Sequence, residues 1–353
     1  MTKPAVSVIM AAYNAEAYLH AAVESILNQS FTDLELIVVN DGSTDATADI
    51  LTEYAERDAR VTIIHQDNAG SAAARNAAIA RCRGDFIAIM DGDDIAHPGR
   101  LEQQVVFLTQ NPEYAAVSCR CELIDESGAH IKTQRARTPA QEAGVPLEEL
   151  LRLPPGPILV NQTAMIRMSS LDDTGATYRP WFRGFLEDFD LSLRVAEKHR
   201  IAHLNAPPLC QYRQYPEGSA NNMSQNQVLF WHYWCAAVLS AHCRRQGVAD
   251  PIDHATAADS PPCDLLPALK TLPHPIKAAC MKSARHWCRR SLRNGMSHAA
   301  EQIIDGLTTL ATDKHDRRAL KKVLRGVLFY ALRAGQWRYA MKVAHQLAVP
   351  LKQ

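Results

Sequence analysis

Over its first hundred residues the chain alternates between two hydrophobic periods, and this alternation limits the folds open to it more than any other feature. The runs VSVIM (6–10), LELIVVN (34–40), VTIIH (61–65) and DFIAIMD (85–91) are short and rich in β-branched residues. Between them lie stretches of helical period. In NAEAYLHAAVESILNQ, Asn14 is placed to cap a helix whose Leu19, Val23, Ile26 and Leu27 share one face, and STDATADILTEYAE brings Ile50, Leu51 and Tyr54 together. Strands separated by amphipathic helices form βαβ units, so the pattern predicts an α/β fold with a mainly parallel sheet. Such a sheet binds ligands in the crevice beyond the carboxyl ends of its strands, here residues 12–14, 40–44, 66–70 and 91–94.

Further along, HPGRLEQQVVFLTQNP reads as a helix and AAVSCRCELID as a strand, followed by a polar, Pro-containing region to about residue 160. NQTAMIRM (161–168) and IAHLNAPPLCQYRQY (201–215) read as further strands flanking a helix in EDFDLSLRVAEKH. Six prolines between residues 250 and 275 suit an irregular connection. Beyond them the pattern is helical throughout, with Trp287, Leu292, Ile303, Leu307, Leu310, Leu320, Leu324, Leu328, Leu332 and Leu347 as its core. RRSLRNGMSHAAEQIIDGL and FYALRAGQWRYAMKVAHQL share a helix, turn, helix plan, which points to helical hairpins. The expected organisation is an α/β domain over 1–225 and a helical region over 226–353, with a Pro-rich connection near 250–275.

Charge separates the same two parts. Lys plus Arg and Asp plus Glu balance at 38 each over the 353 residues, so the whole chain offers no argument for nucleic acid as partner. From residue 265 to 353, however, 17 Lys and Arg face four acids. That basic tail is either a solvated helical face or a surface for an anionic inner leaflet; aromatic interleaving is too sparse for nucleic acid. Nine Cys without a CxxC pair read as reduced thiols of a cytoplasmic protein, and Cys119 and Cys121 as buried thiols rather than soft-metal ligands. Neither the N-terminus nor the run at 228–243, interrupted by His232, is apolar for long enough to be a signal core or a membrane span.

Three polar clusters fall at the strand ends. Asp41, in VVNDGSTDAT, stands in a Gly-Ser turn where it could cap the next helix or bind a ligand. Arg75, in NAGSAAARNAAI, is a cation on the first turns of a helix, behind small residues that permit close backbone approach. Asp91, Gly92, Asp93 and Asp94 gather three carboxylates that repel one another unless a cation or donor-rich partner is present, and an Asp-x-Asp turn can face a hard divalent ion. Together these clusters describe a crevice with acids for metal and sugar hydroxyls and an Arg for phosphate.

Four ordered segments, VSVIMAAYNAEAYLHAAVESILNQSFTDLELIVVNDGSTDAT, NAGSAAARNAAI, IMDGDDIAHPGRLEQQVVFL and FLEDFDLSLRVAE, resemble the family-2 inverting glycosyltransferases over roughly residues 4–220. The resemblance implies a GT-A-type α/β fold, with a mixed, mainly parallel sheet flanked by helices and the helical C-terminal region appended. It implies a nucleotide-diphosphate sugar donor, most often a UDP-sugar, bound with Mn2+ or Mg2+, and a saccharide or lipid-linked acceptor in cell-surface polysaccharide or glycolipid synthesis. Carried over position by position, Ala12 and Tyr13 would line the nucleoside pocket, and Asp41 would hydrogen-bond the uracil. Arg75 would approach the diphosphate, Asp91 the ribose or sugar or the metal, and Asp93 the metal, with Asp94 a secondary metal ligand. Asp188 matches the catalytic base and Glu187 its acidic neighbour, while Asp190 should lie on another face of the helix.

One departure stands out, since the YRxH stretch of many members reads YRQY here, with Tyr215 in place of His. It leaves open a metal or phosphate role at that point, which Arg213 could assume. Two competing readings are a nucleotide-sugar-binding scaffold that has lost transfer, against which Asp41, Asp93 and Asp188 argue jointly, and a hydrolase forming an aspartyl-phosphate. Residues 120–180 and the tail, which would shape the acceptor pocket, carry no pattern that names the sugar or the acceptor.

Overall fold

The computed structural model describes residues 3–135, 140–141, 159–175, 177–205, 207–215, 226–255, 262–294, 296–333 and 335–348. Described residues up to 215 form one compact unit and those from 226 onward a second. The boundary expected at 225 adjoins residues 216–225, which lie outside the described residues, as do Pro261 of the expected connection and much of the acceptor-shaping stretch.

The first unit opens with the anticipated alternation: β1 (Val6–Ala12), α1 (Leu19–Leu27), β2 (Leu34–Asp41), α2 (Thr47–Arg57), β3 (Val61–Gln66), α3 (Ser71–Ile79) and β4 (Phe86–Asp91). It continues through β5 (Ile95–Ala96), α4 (Arg100–Gln110), β6 (Tyr114–Cys119), β7 (Cys121–Ile124), β8 (His130–Thr133) and β9 (Ala140–Gln141). β10 (Met165–Arg167), α5 (Met168–Thr174), α6 (Glu187–Lys198), β11 (Arg200–Leu204) and β12 (Cys210–Arg213) complete it. The fold is α/β, and its large mixed sheet runs β3-β2-β1-β4-β10-β6-β11-β9. β1 to β4 are mutually parallel, and Ala12 lies opposite Asn40, Ala11 opposite Asp91 and Asp41 opposite Gln66. The four strand ends are therefore level. Leu19, Val23 and Ile26 of α1 pack with Val8, Met10, Leu36 and Met90, and each buried aliphatic side chain contributes about 1.5–3 kcal/mol. Fully buried Arg100 fastens α4 beneath β4 by donating to Ile89 O at 2.7 Å and Gln104 Oε1 at 3.2 Å.

Four local expectations are corrected. Residues 114–124 form two strands, because the chain changes sheets at Arg120: β6 joins the large sheet, whereas β7 joins a small one of order β5-β12-β7-β8. Residues 201–215 divide in the same way into β11 and β12, across Pro207 and Pro208, which have no N–H for a ladder. Only three residues of 161–168 are strand, since Asn161–Thr163 form a 3-10 turn and Thr163 Oγ1 donates to Val160 O. Asn14 caps no helix; at φ 47° its Oδ1 accepts the Thr44 N–H at 2.9 Å, tying the end of β1 to the loop after β2.

The second unit holds α7 (Gln227–Arg245), a 3-10 segment (Pro262–Thr271), α8 (His274–Arg293), α9 (Ser297–Leu310), α10 (Lys314–Arg333) and α11 (Trp337–Ala348). Its buried residues include Trp287, Leu292, Ile303, Leu307, Leu310, Leu320 and Leu324, while Leu328 and Leu347 are half-buried. Leu332 was expected in the core and is 40% exposed, because Leu320, Leu324, Val327 and Ala331 occupy the inward stripe of α10 and Leu332 falls one residue beyond it. At the head of α10, fully buried Asp316 accepts from Thr312 Oγ1 and is held by His274 and Lys277. Among the described residues, no helix is long and apolar enough to cross a membrane.

Candidate active site

The crevice is assembled by loops that bind one another. Asp41 does not cap α2. Its Oδ1 accepts from Gln66 Nε2 at 2.7 Å and the Ala69 N–H at 2.9 Å, and its Oδ2 accepts the Gly70 N–H at 2.9 Å, so it pins the turn before α3 to the end of β2. The two loops touch so closely that a Cβ on Gly42 would lie 2.7 Å from the Asn68 nitrogen, and Gly42 itself holds φ +72°. Ala12 is buried, whereas the neighbouring Tyr13 is 53% exposed, leaving its ring available to a ligand at the rim.

Beneath this rim the charged groups interlock. Arg75 is buried and donates from Nη2 to Asp91 Oδ1 at 2.8 Å and from Nη1 to Glu187 Oε1 at 3.2 Å, with its guanidinium 5.4 Å from the Tyr178 ring centre. Ser71 Oγ donates to the same Glu187 oxygen at 2.8 Å. One cation thus bridges the end of β4 and the first turn of α6. Arg183 and Leu186, both bearing Cβ atoms, enter α6 at φ 52° and 63°, the kind of backbone strain that collects where a side chain must be aimed.

Glu187 and Asp188 are consecutive but meet different surroundings. Glu187 is neutralised by Arg75; Asp188 receives the Phe189 N–H at 2.8 Å and has no side-chain partner among the described residues. Burial, and next the charge of Glu187, push the Asp188 carboxyl up from 3.8 to about 7. A carboxylate so held is a stronger base than an exposed one. Asp190, fully buried, is occupied by Arg194 Nε at 3.0 Å and Arg179 Nη1 at 3.6 Å, on a separate face of α6.

The acidic turn is crowded in a different way. Tyr215 Oη donates to Asp93 Oδ2 at 2.8 Å, and the Tyr215 ring lies 5.3 Å from that of Tyr18. Asp94 accepts the Arg213 N–H at 2.8 Å through Oδ1, while its buried Oδ2 has no partner among the described residues. Burial, followed by the charge of Asp91, raises Asp93 to about 6; burial and then Asp93 and Asp91 hold Asp94 well above the usual carboxylate range. Arg213 spends its guanidinium on the carbonyls of Asp93, Asp125 and Glu126, which makes it a clamp on this turn rather than a free phosphate ligand.

Ser71, Tyr178 and Tyr18 belong to this arrangement and were not singled out from the sequence. Ser71 opens a helix beside a glycine turn and carried that weak signal; Tyr178 and Tyr18 carried none.

Residues 7–175 match the sequence profile of glycosyl transferase family 2. EpsE of Bacillus subtilis strain 168, which bears a provisional glycosyltransferase designation, is 37% identical over 198 residues, covering 55% of this chain and 68% of EpsE. The chain belongs to glycosyl transferase family 2. A second relative of that strain, EpsH, also provisionally designated a glycosyltransferase, is 48% identical over 105 residues, 30% of either chain. The matched segment spans less than half of the next two relatives as well. The fold is shared with TarS of S. aureus, whose crystal structure of residues 1–349 aligns at a TM-score of 0.59 and 17% identity over 96% of this chain and 89% of that one.

Proposed function

We propose that the chain transfers a sugar, with inversion, from a UDP-sugar to the hydroxyl of a saccharide or lipid-linked acceptor. The observation that carries this reading is Asp188, a partially buried carboxylate left without a side-chain partner at the head of α6, next to a Glu187 that Arg75 neutralises. Family membership supports transfer chemistry, and TarS, a protein of the same fold, has been solved with UDP-GlcNAc.

In this reading Tyr13 and Ala12 border the nucleoside, and Asp41, through the turn it pins, shapes the wall for the base. Asp188 takes the proton of the acceptor hydroxyl as its oxygen bonds to the anomeric carbon and the bond to the diphosphate oxygen breaks. Attack from the face opposite the leaving group inverts the centre, with no covalent enzyme intermediate. Arg75 keeps Glu187 and Asp91 in place and directs Asp188 alone at the acceptor.

The acidic turn fits a hard divalent cation. Burial and mutual repulsion raise two of its carboxyls above the usual carboxylate range, and among the described residues the buried Asp94 Oδ2 lacks a partner. Asp93 and Asp91 would hold Mn2+ or Mg2+, with Asp94 behind them positioning β12, and the ion would offset charge on the departing diphosphate. In the helical unit, His274, Asp313 and Asp316 bring ligand atoms within 4.8 Å of one another, but Lys277 already supplies the cation there.

The test is Asp188→Asn, assayed by UDP release from a panel of UDP-sugars and by calorimetry with UDP. UDP affinity should stay within a few-fold while transfer falls about 10² or more, and kcat/KM of the parent should climb with pH through a limb near 7. Transfer by the variant at the parental rate would remove Asp188 as base. A parent that binds UDP-sugars but never releases UDP would favour the scaffold reading.

A further inference from the structure

We propose that the solvent face of α10 is a docking surface for an anionic lipid bilayer. The helix runs from Lys314 to Arg333, and its one acid, Asp316, is fully buried, so its outer face carries no negative charge. Arg318, Lys322, Arg325, Phe329 and Leu332 are all exposed. Their spacing of four, three, four and three residues places them within an arc of about 80° on one stripe about 21 Å long. None of the three basic residues forms an ion pair among the described residues, so their charges are free for a partner. The inward stripe of the helix is already packed in the unit, hence the stripe is a second, outward surface rather than a misplaced core.

Its composition selects the partner. The basic residues occupy the first half of the stripe, and two large apolar side chains, 58% and 40% exposed for Phe329 and Leu332, close it, followed by exposed Arg333. Nucleic acid would reward the charges but leave Leu332 in water. A bilayer satisfies both: cations lie over anionic headgroups, with their stems along the apolar boundary, while Phe329 and Leu332 enter the hydrocarbon edge. The charge complementarity is that of a membrane surface rich in acidic lipid. This inference does not rest on sugar transfer, and UDP binding measured in parallel separates failure of one from failure of the other.

The experiment is flotation of the full chain with phosphatidylcholine vesicles made with and without phosphatidylglycerol. The parent should float only with the anionic vesicles. Lys322→Glu with Arg325→Glu should lower partitioning about tenfold or more. Phe329→Ser with Leu332→Ser should weaken binding and render the remainder fully reversible by salt. Lys132→Glu with Arg135→Glu, exposed basic residues of the first unit, should cost little by comparison. Circular dichroism matching the parent confirms that each variant is folded. Parental flotation by both stripe variants would overturn the proposal, as would an equal loss in the control pair. Retention of duplex RNA through the same stripe by a chain that leaves vesicles unbound would assign the surface to nucleic acid and also overturn it.

Discussion

Tyr215 reaches the acidic turn through one oxygen. Its hydroxyl donates to Asp93 Oδ2, so the phenol orients that carboxylate without itself being a ligand. Burial, then the charge of Asp93, raise the phenol above its ordinary value, which keeps it a proton donor at neutral pH. Outer partners of this kind typically sustain 10–100-fold of metal affinity. Tyr215→Phe, which keeps the ring against Tyr18, should therefore weaken Mn2+ binding in the presence of UDP about tenfold or more with little change in melting temperature. Titration followed by the electron paramagnetic resonance of free Mn2+ reads this directly, and unchanged affinity would reduce Tyr215 to packing.

At the scale of elements, the crevice depends on how closely the loop after β2 meets the loop before α3. Gly42 combines φ +72° with an approach to the Asn68 backbone that no side chain could share. Gly42→Ala should move the 66–70 turn that Asp41 holds, lowering UDP affinity at least several-fold and lowering the melting temperature, whereas Gly175→Ala, also at positive φ but open to space, should affect stability alone. Calorimetry and thermal melts on the pair separate the two effects. The strands that frame these loops were legible because β1, β2 and β4 are buried on both faces and read as largely apolar runs, while β3, half-exposed at the sheet edge, keeps a β-branched run. Asp41, Asp91 and Asp188 were legible for a related reason, since each sits where such a run stops or a helix starts. The small sheet was not, because β5 has two residues and β12 pairs with strands about 90 and 115 residues earlier, beyond what a local period reports. The Tyr215 contact was equally hidden, at a sequence separation of 122 from Asp93. Leu332 misled because a leucine every four residues continues a stripe on paper that a helix of 3.6 residues per turn rotates into solvent.

For the whole molecule, the carboxyl raised from 3.8 to about 7 couples folding to pH. Between those values the folded protein keeps a proton on Asp188 that the unfolded chain has released, so this group makes stability fall as pH rises through the window, with its full penalty above 7. Asparagine carries no such penalty. Asp188→Asn should melt several degrees above the parent at pH 8 in chelator, and the difference should close near pH 4; a gap of equal size at both would trace it to packing. The large sheet has a further consequence in time. β10, three residues long, is what joins β4 to β6. A ribosome adding about 5–20 residues per second needs roughly 2–10 s to pass from Cys119 to Arg167. For those seconds the nascent chain holds the β3-β2-β1-β4 half of the sheet with a bare β4 edge, and β6 with neither of its neighbours, each able to accept a strand from another chain until the missing strand is made.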